Sequence, residues 1–124
     1  METIGIVGAG TMGRGIAHVA ALSGFETLLY DLSGEIVLES RRLISVELEK
    51  GVAKGKLSAE LATAAAARIS GCTSFPEFGR CGAVIEAAAE DLGAKKKIFS
   101  DLEQVCRPDA LLATNTSSLS ITAI

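Results

Sequence analysis

The clearest chemistry in this sequence sits near its amino terminus, in Gly8-Ala9-Gly10-Thr11-Met12-Gly13. These residues follow the run Thr3 to Val7, which reads as a strand, and precede a helical stripe from about Met12 to Ser23. In the order strand, glycine turn, helix, each glycine has its own task. Gly8 permits the tight turn, Gly10 lets backbone approach a pyrophosphate with no β-carbon in the way, and Gly13 lets the helix lie close to the strands. Free N–H groups of Thr11, Met12 and Gly13, at the positive end of the helix dipole, then hold two phosphates. The alternative is a glycine-rich turn without a ligand, and Asp31 weighs against it. Asp31 ends the second strand about 20 residues after the glycines, where a carboxylate accepts hydrogen bonds from both hydroxyls of an adenosine ribose. Its charge repels a 2′-phosphate, and no arginine follows at once to receive one, so NAD is expected rather than NADP.

Other reactive side chains are less telling. Glu86 and Glu90 stand four residues apart at the end of a strand, which suits turn structure and cofactor contact better than paired acid–base work. His18, the one histidine, falls about a turn and a half into the first helix and reads as a helix-surface residue. Cys72, Cys81 and Cys106 are odd in number and lack C-x-x-C spacing, so they suggest neither a disulfide framework nor a zinc site; Cys72 is expected to pack as a small hydrophobe.

The elements that must position these residues alternate between short β-type runs and longer helical stripes, the sign of βαβ units around a parallel sheet. The first helix offers Ile16, Ala17, Val19, Ala20 and Ala21 as a packing face and stops at Gly24. Glu26 to Asp31 is the second strand. Ser33 can cap a helix carrying Ile36, Val37, Leu43, Ile44 and Leu48 up to Gly51, and a basic loop runs from Gly51 to Lys56. Ser58 caps an alanine-rich helix to about Arg68, Ile69 to Thr73 is a short strand, and Phe75 to Phe78 is a turn or short helix. Ala83 to Ala87 is a strand. Asp91 can cap a helix from about Gly93 to Val105, Pro108 ends it, and Ala110 to Thr114 is the next strand, followed by the turn Asn115-Thr116-Ser117-Ser118.

With 124 residues the chain is at most one domain, and 48% hydrophobic with 22% charged residues fits a globular α/β protein, not a disordered or fibrous one. A net charge of -3 argues against nucleic acid as the main partner. No apolar run reaches membrane-spanning length, and the start lacks the basic region and cleavage site of a leader, so a cytoplasmic location is expected.

Three segments together resemble the L-3-hydroxyacyl-CoA dehydrogenase family: Ile4 through the glycine turn to Gly13, Val84-Ile85-Glu86-Ala87 leading to Glu90, and Thr114-Asn115-Thr116-Ser117-Ser118-Leu119. The first is shared with other dehydrogenases; the last two, in this order and spacing, are specific. The resemblance implies a Rossmann-type parallel sheet with flanking helices, incomplete before its last strands at Ile124, and an all-helical domain lying beyond. It implies that Ala88, Ala89 and Glu90 line the NAD site and that Lys95 reaches the cofactor from the next helix, whereas Lys96 and Lys97 form a solvated face. Ser117 corresponds to a hydroxyl near the nicotinamide and the substrate's 3-oxygen, although it could instead cap the helix near Leu119. Asn115 and Lys54 are implied substrate contacts, Lys54 near the CoA phosphates; a solvated loop accounts for Lys54 as well. The implied reaction moves hydride from C3 of the hydroxyacyl thioester to the nicotinamide while a histidine, paired with a glutamate, takes the hydroxyl proton. Both residues fall beyond Ile124 in the family pattern, and His18 does not stand in for them. The resemblance also implies a homodimeric parent. A stand-alone NAD(H)-binding module and a 3-hydroxyisobutyrate-type dehydrogenase are the competing readings, the second disfavoured by Asp31 and the Asn115 to Leu119 motif.

Overall fold

The computed structural model describes residues 3–87 and 92–114. In chain order its elements are β1 (Thr3–Val7), α1 (Thr11–Leu22), β2 (Glu26–Tyr30), α2 (Gly34–Ala53), α3 (Ala59–Ala67), β3 (Ile69–Cys72), a 3₁₀ turn (Phe75–Arg80), β4 (Ala83–Glu86), α4 (Leu92–Val105) and β5 (Leu111–Thr114). The five strands form one sheet in the order β3-β2-β1-β4-β5, all neighbours parallel. From β1 the chain builds outward through β2 and β3, then crosses back to place β4 on the other side of β1. This reversal opens a crevice at the carboxyl ends of β1 and β4, where ligands bind in doubly wound sheets. The expected Rossmann-type sheet is therefore observed.

Two apolar layers hold the sheet. One face packs Ile6, Leu29 and Ile69 against Ala17 and Ala21 of α1, Val37, Ile44 and Leu48 of α2, and Ala65 of α3. The other packs Val7, Leu28 and Val84 against Phe78 and Leu102. Each fully buried Leu, Ile or Phe contributes roughly 1.5–3 kcal/mol of transfer free energy. The contact face of α1 is narrower than its sequence suggests: Gly13, Ala17, Ala20 and Ala21 are buried, but Val19 is 64% exposed. Small residues let α1 approach β1 and β2 closely, so the larger Val19 is left to the side.

Helix ends follow the expected chemistry, with one correction. Ser33 accepts from the Ile36 N–H at 3.3 Å and Ser58 from the Leu61 N–H at 3.1 Å, capping α2 and α3. Gly51 does not stop α2, which continues to Ala53. The stop is Gly55, whose φ of 74° is left-handed; the Gly55 N–H donates to Val52 and the Lys56 N–H to Gly51, closing a Schellman turn. The cap expected from Asp91 lies outside the described residues.

Candidate functional site

Strand β1 delivers the glycine turn to the crevice. Gly8 adopts a φ of 111°, and its N–H donates to the Tyr30 carbonyl at 2.8 Å, which ties the turn to the end of β2. A β-carbon on Gly13 would stand 1.7 Å from the Gly8 carbonyl oxygen, so only glycine lets α1 start this close to the turn. A β-carbon on Gly10 would meet nothing within 4 Å and would occupy the open approach to the turn. No side chain caps α1 at Gly10, and Gly10, Thr11 and Met12 are exposed. The start of α1 thus presents uncapped N–H donors, the positive end of its dipole and room for an anion.

Asp31 does more than its spacing implies. Its Oδ2 accepts from the Ala9 N–H at 3.0 Å and its Oδ1 from the Ser33 N–H at 3.1 Å. A carboxylate has about four acceptor positions, so two backbone bonds orient it and leave capacity for a pair of hydroxyls. Beside it opens a cavity of about 330 Å³ walled by Val7, Gly8, Tyr30, Leu32, Phe75 and Ile98. Mostly apolar walls, with Asp31, Lys97 and Asp101 also lining the cavity, suit a flat heterocycle joined to a polar sugar. These features fit the adenosine and pyrophosphate parts of NAD: the cavity for the base, Asp31 for the ribose, and Gly10 to Gly13 for the phosphates.

The carboxyl ends of β4 and β5 are organised by charge. Glu86 and Lys95 are both fully buried and form an ion pair. The Lys95 ammonium also donates to Thr114 Oγ1 at 3.2 Å, and the Thr114 hydroxyl donates to Glu86 at 2.8 Å. The Lys95 side chain lies inside, at the edge of the sheet, with its charge engaged by Glu86. Lys96 and Lys97 are exposed, as expected. By its spacing Glu86 suits turn structure and cofactor contact, whereas it ends β4 inside this buried cluster. The available signal was an acid closing an apolar strand nine residues before a lysine.

Of the remaining expected site residues only Lys54 is described, and it is not at this edge. Lys54 is exposed just past α2, 14 residues beyond Ser40, or about 21 Å along the helix axis. Ala88, Ala89, Glu90, Asn115 and Ser117 lie outside the described residues. His18 is half-buried within α1, and among the described residues no group of three His, Cys, Asp or Glu could hold a metal. No helix among them is long and apolar enough to cross a membrane.

Residues 3–124 match the family model described as 3-hydroxyacyl-CoA dehydrogenase, NAD binding domain. The chain belongs to this family. It is 44% identical over its whole length to a 3-hydroxyadipyl-CoA dehydrogenase of Escherichia coli, covering 26% of that protein. It is 40% identical over its whole length to a 3-hydroxybutyryl-CoA dehydrogenase of Bradyrhizobium diazoefficiens, covering 42% of it. Among solved structures, a 3-hydroxybutyryl-CoA dehydrogenase from Escherichia coli superposes with a TM-score of 0.96 at 44% identity, over 98% of this chain and 26% of that one. The chain thus spans between a quarter and less than half of these relatives, and what it matches is their NAD-binding domain. The family match stands against the 3-hydroxyisobutyrate-type alternative.

Proposed function

We propose that the protein carrying this chain oxidises an L-3-hydroxyacyl-CoA to the 3-oxoacyl-CoA, and that these residues hold its NAD. The observation that supports this most is the clasp between Asp31 and Ala9 beside the uncapped start of α1. It prepares a carboxylate for two ribose hydroxyls and backbone donors for a pyrophosphate within one turn. NAD, when bound, supplies the hydride acceptor. Ala88, Ala89 and Glu90 line its site, and Lys95 backs it from the buried pair with Glu86. Ser117 orients the reacting alcohol, with Asn115 beside it, and Lys54 meets the CoA phosphates. The proton acceptor in this reading is the histidine–glutamate pair that the family resemblance assigns to residues after Ile124. A cytoplasmic homodimer completes the proposal.

The test is turnover by the whole protein. With NADH and acetoacetyl-CoA, the NADH absorbance should fall, and NADPH should substitute poorly. Tight NADH binding without turnover of any 3-oxoacyl-CoA would instead support an NAD(H)-binding module.

A further inference from the structure

Ser40 interrupts an aliphatic row. The buried positions of α2 are Val37, Ser40, Ile44 and Leu48, and a hydroxyl among them has lost its water. A serine inside a helix commonly bonds back to the carbonyl four residues earlier. Ser40 instead donates across 31 residues to the carbonyl of Ala9, which is itself fully buried in the glycine turn.

We propose that Ser40 is a positioning residue for cofactor binding: by holding the Ala9 carbonyl it turns the Gly10 N–H toward the pyrophosphate. This rests on the NAD-binding reading above. A trans peptide is planar, with its carbonyl and N–H pointing in opposite directions, and the described residues contain no cis bond. With the Ala9 oxygen drawn toward α2, the Gly10 N–H faces away from α2, on the side where Gly10, Thr11 and Met12 are exposed. Asp31 fixes the preceding peptide through the Ala9 N–H at 3.0 Å. Both peptides flanking Ala9 are therefore set before a ligand arrives, one by each side chain. Without Ser40 the second peptide is free to rotate, and ordering it on binding weakens affinity.

The experiment is an NADH fluorescence titration of the whole protein, with ADP-ribose and adenosine as competitors, on the unsubstituted protein, Ser40→Ala and Ser40→Thr. Ser40→Ala removes one atom and is expected to fold, which a melting curve checks. It should weaken NADH and ADP-ribose by about fivefold, the worth of one net hydrogen bond, and adenosine by less than about twofold. Ser40→Thr keeps the hydroxyl and should keep the affinity. Equal losses for all three ligands would make Ser40 merely structural and overturn the proposal. Unchanged affinities in Ser40→Ala would overturn it too, while leaving the cofactor reading intact. Absence of NADH binding by the unsubstituted protein would remove the cofactor reading and the Ser40 role together.

Discussion

The two sides of the crevice are built by different physics. On the β1 and β2 side, backbone does the holding: Ala9 is gripped at its N–H by Asp31 and at its carbonyl by Ser40, and Gly8 is tied to Tyr30. On the β4 and β5 side, the strand ends are joined by the buried charges of Glu86 and Lys95, with the Thr114 hydroxyl between them. A hydrogen bond to backbone has a modest net worth, about 0.5–1.5 kcal/mol when both partners are neutral and about 1.5–3 kcal/mol when one is charged. A buried ion pair costs desolvation of both partners, so it tolerates removal of both better than removal of one. The first arrangement suits a surface that must present donors to a ligand. The second suits an anchor that ties two strand ends together.

This contrast predicts a graded set of outcomes. The largest effect should come from Glu86→Ala, which leaves the Lys95 ammonium buried without its carboxylate; a loss of roughly 3–5 kcal/mol is expected in urea unfolding. Combining Glu86→Leu with Lys95→Met should cost less than either alone, and a double variant as damaged as the sum of the singles would break the comparison. Next is Gly13→Ala. Its β-carbon would stand 1.7 Å from the Gly8 carbonyl, so α1 or the turn must move. A loss of about 1–3 kcal/mol is expected with a steep loss of NADH binding, and an unchanged NADH titration would contradict the assigned close approach.

A smaller effect is expected from Asp31→Asn, which keeps an acceptor oxygen but loses the charge. NADH affinity should fall about tenfold, with the melting temperature changing by only a few degrees, about the effect of one charge-assisted hydrogen bond. Asp31→Arg should weaken NADH by more than NADPH, and equal losses would count against a ribose contact. A last effect is confined to alkaline pH. Burial raises the Cys81 thiol from 9.0 to about 11, so between these values the unfolded chain releases a proton that the folded chain keeps. Its contribution to stability is full below about pH 9 and is lost as pH rises toward 11. Cys81→Ala should flatten that part of the unfolding profile.

Local patterns made much of the fold readable in advance. Gly24, Ser33 and Ser58 ended or began helices where their chemistry requires it. Gly51 misled because a lone helical glycine is tolerated, whereas Gly55 is held in a left-handed conformation that only the folded turn reveals. Val19 misled because helical periodicity marks apolar faces without saying which one approaches the sheet. Only the family resemblance sets Lys95 apart from Lys96 and Lys97: by residue type three consecutive lysines look alike until a carboxylate from another element selects one of them.

By itself, the sequence determined the strand–turn–helix context of Gly8 to Gly13, the spacing of Asp31 that favours NAD, and the family to which the chain belongs. These are set by short-range sterics and residue spacing. Only the tertiary structure decided that Ser40 holds Ala9 across 31 residues, that Asp31 holds it across 22, and that Glu86 and Thr114, 28 residues apart, share one buried cluster with Lys95. Those contacts exist because parallel strands return their carboxyl ends to one edge. A polar group taken out of water there must find its partner among whatever the crossovers bring near.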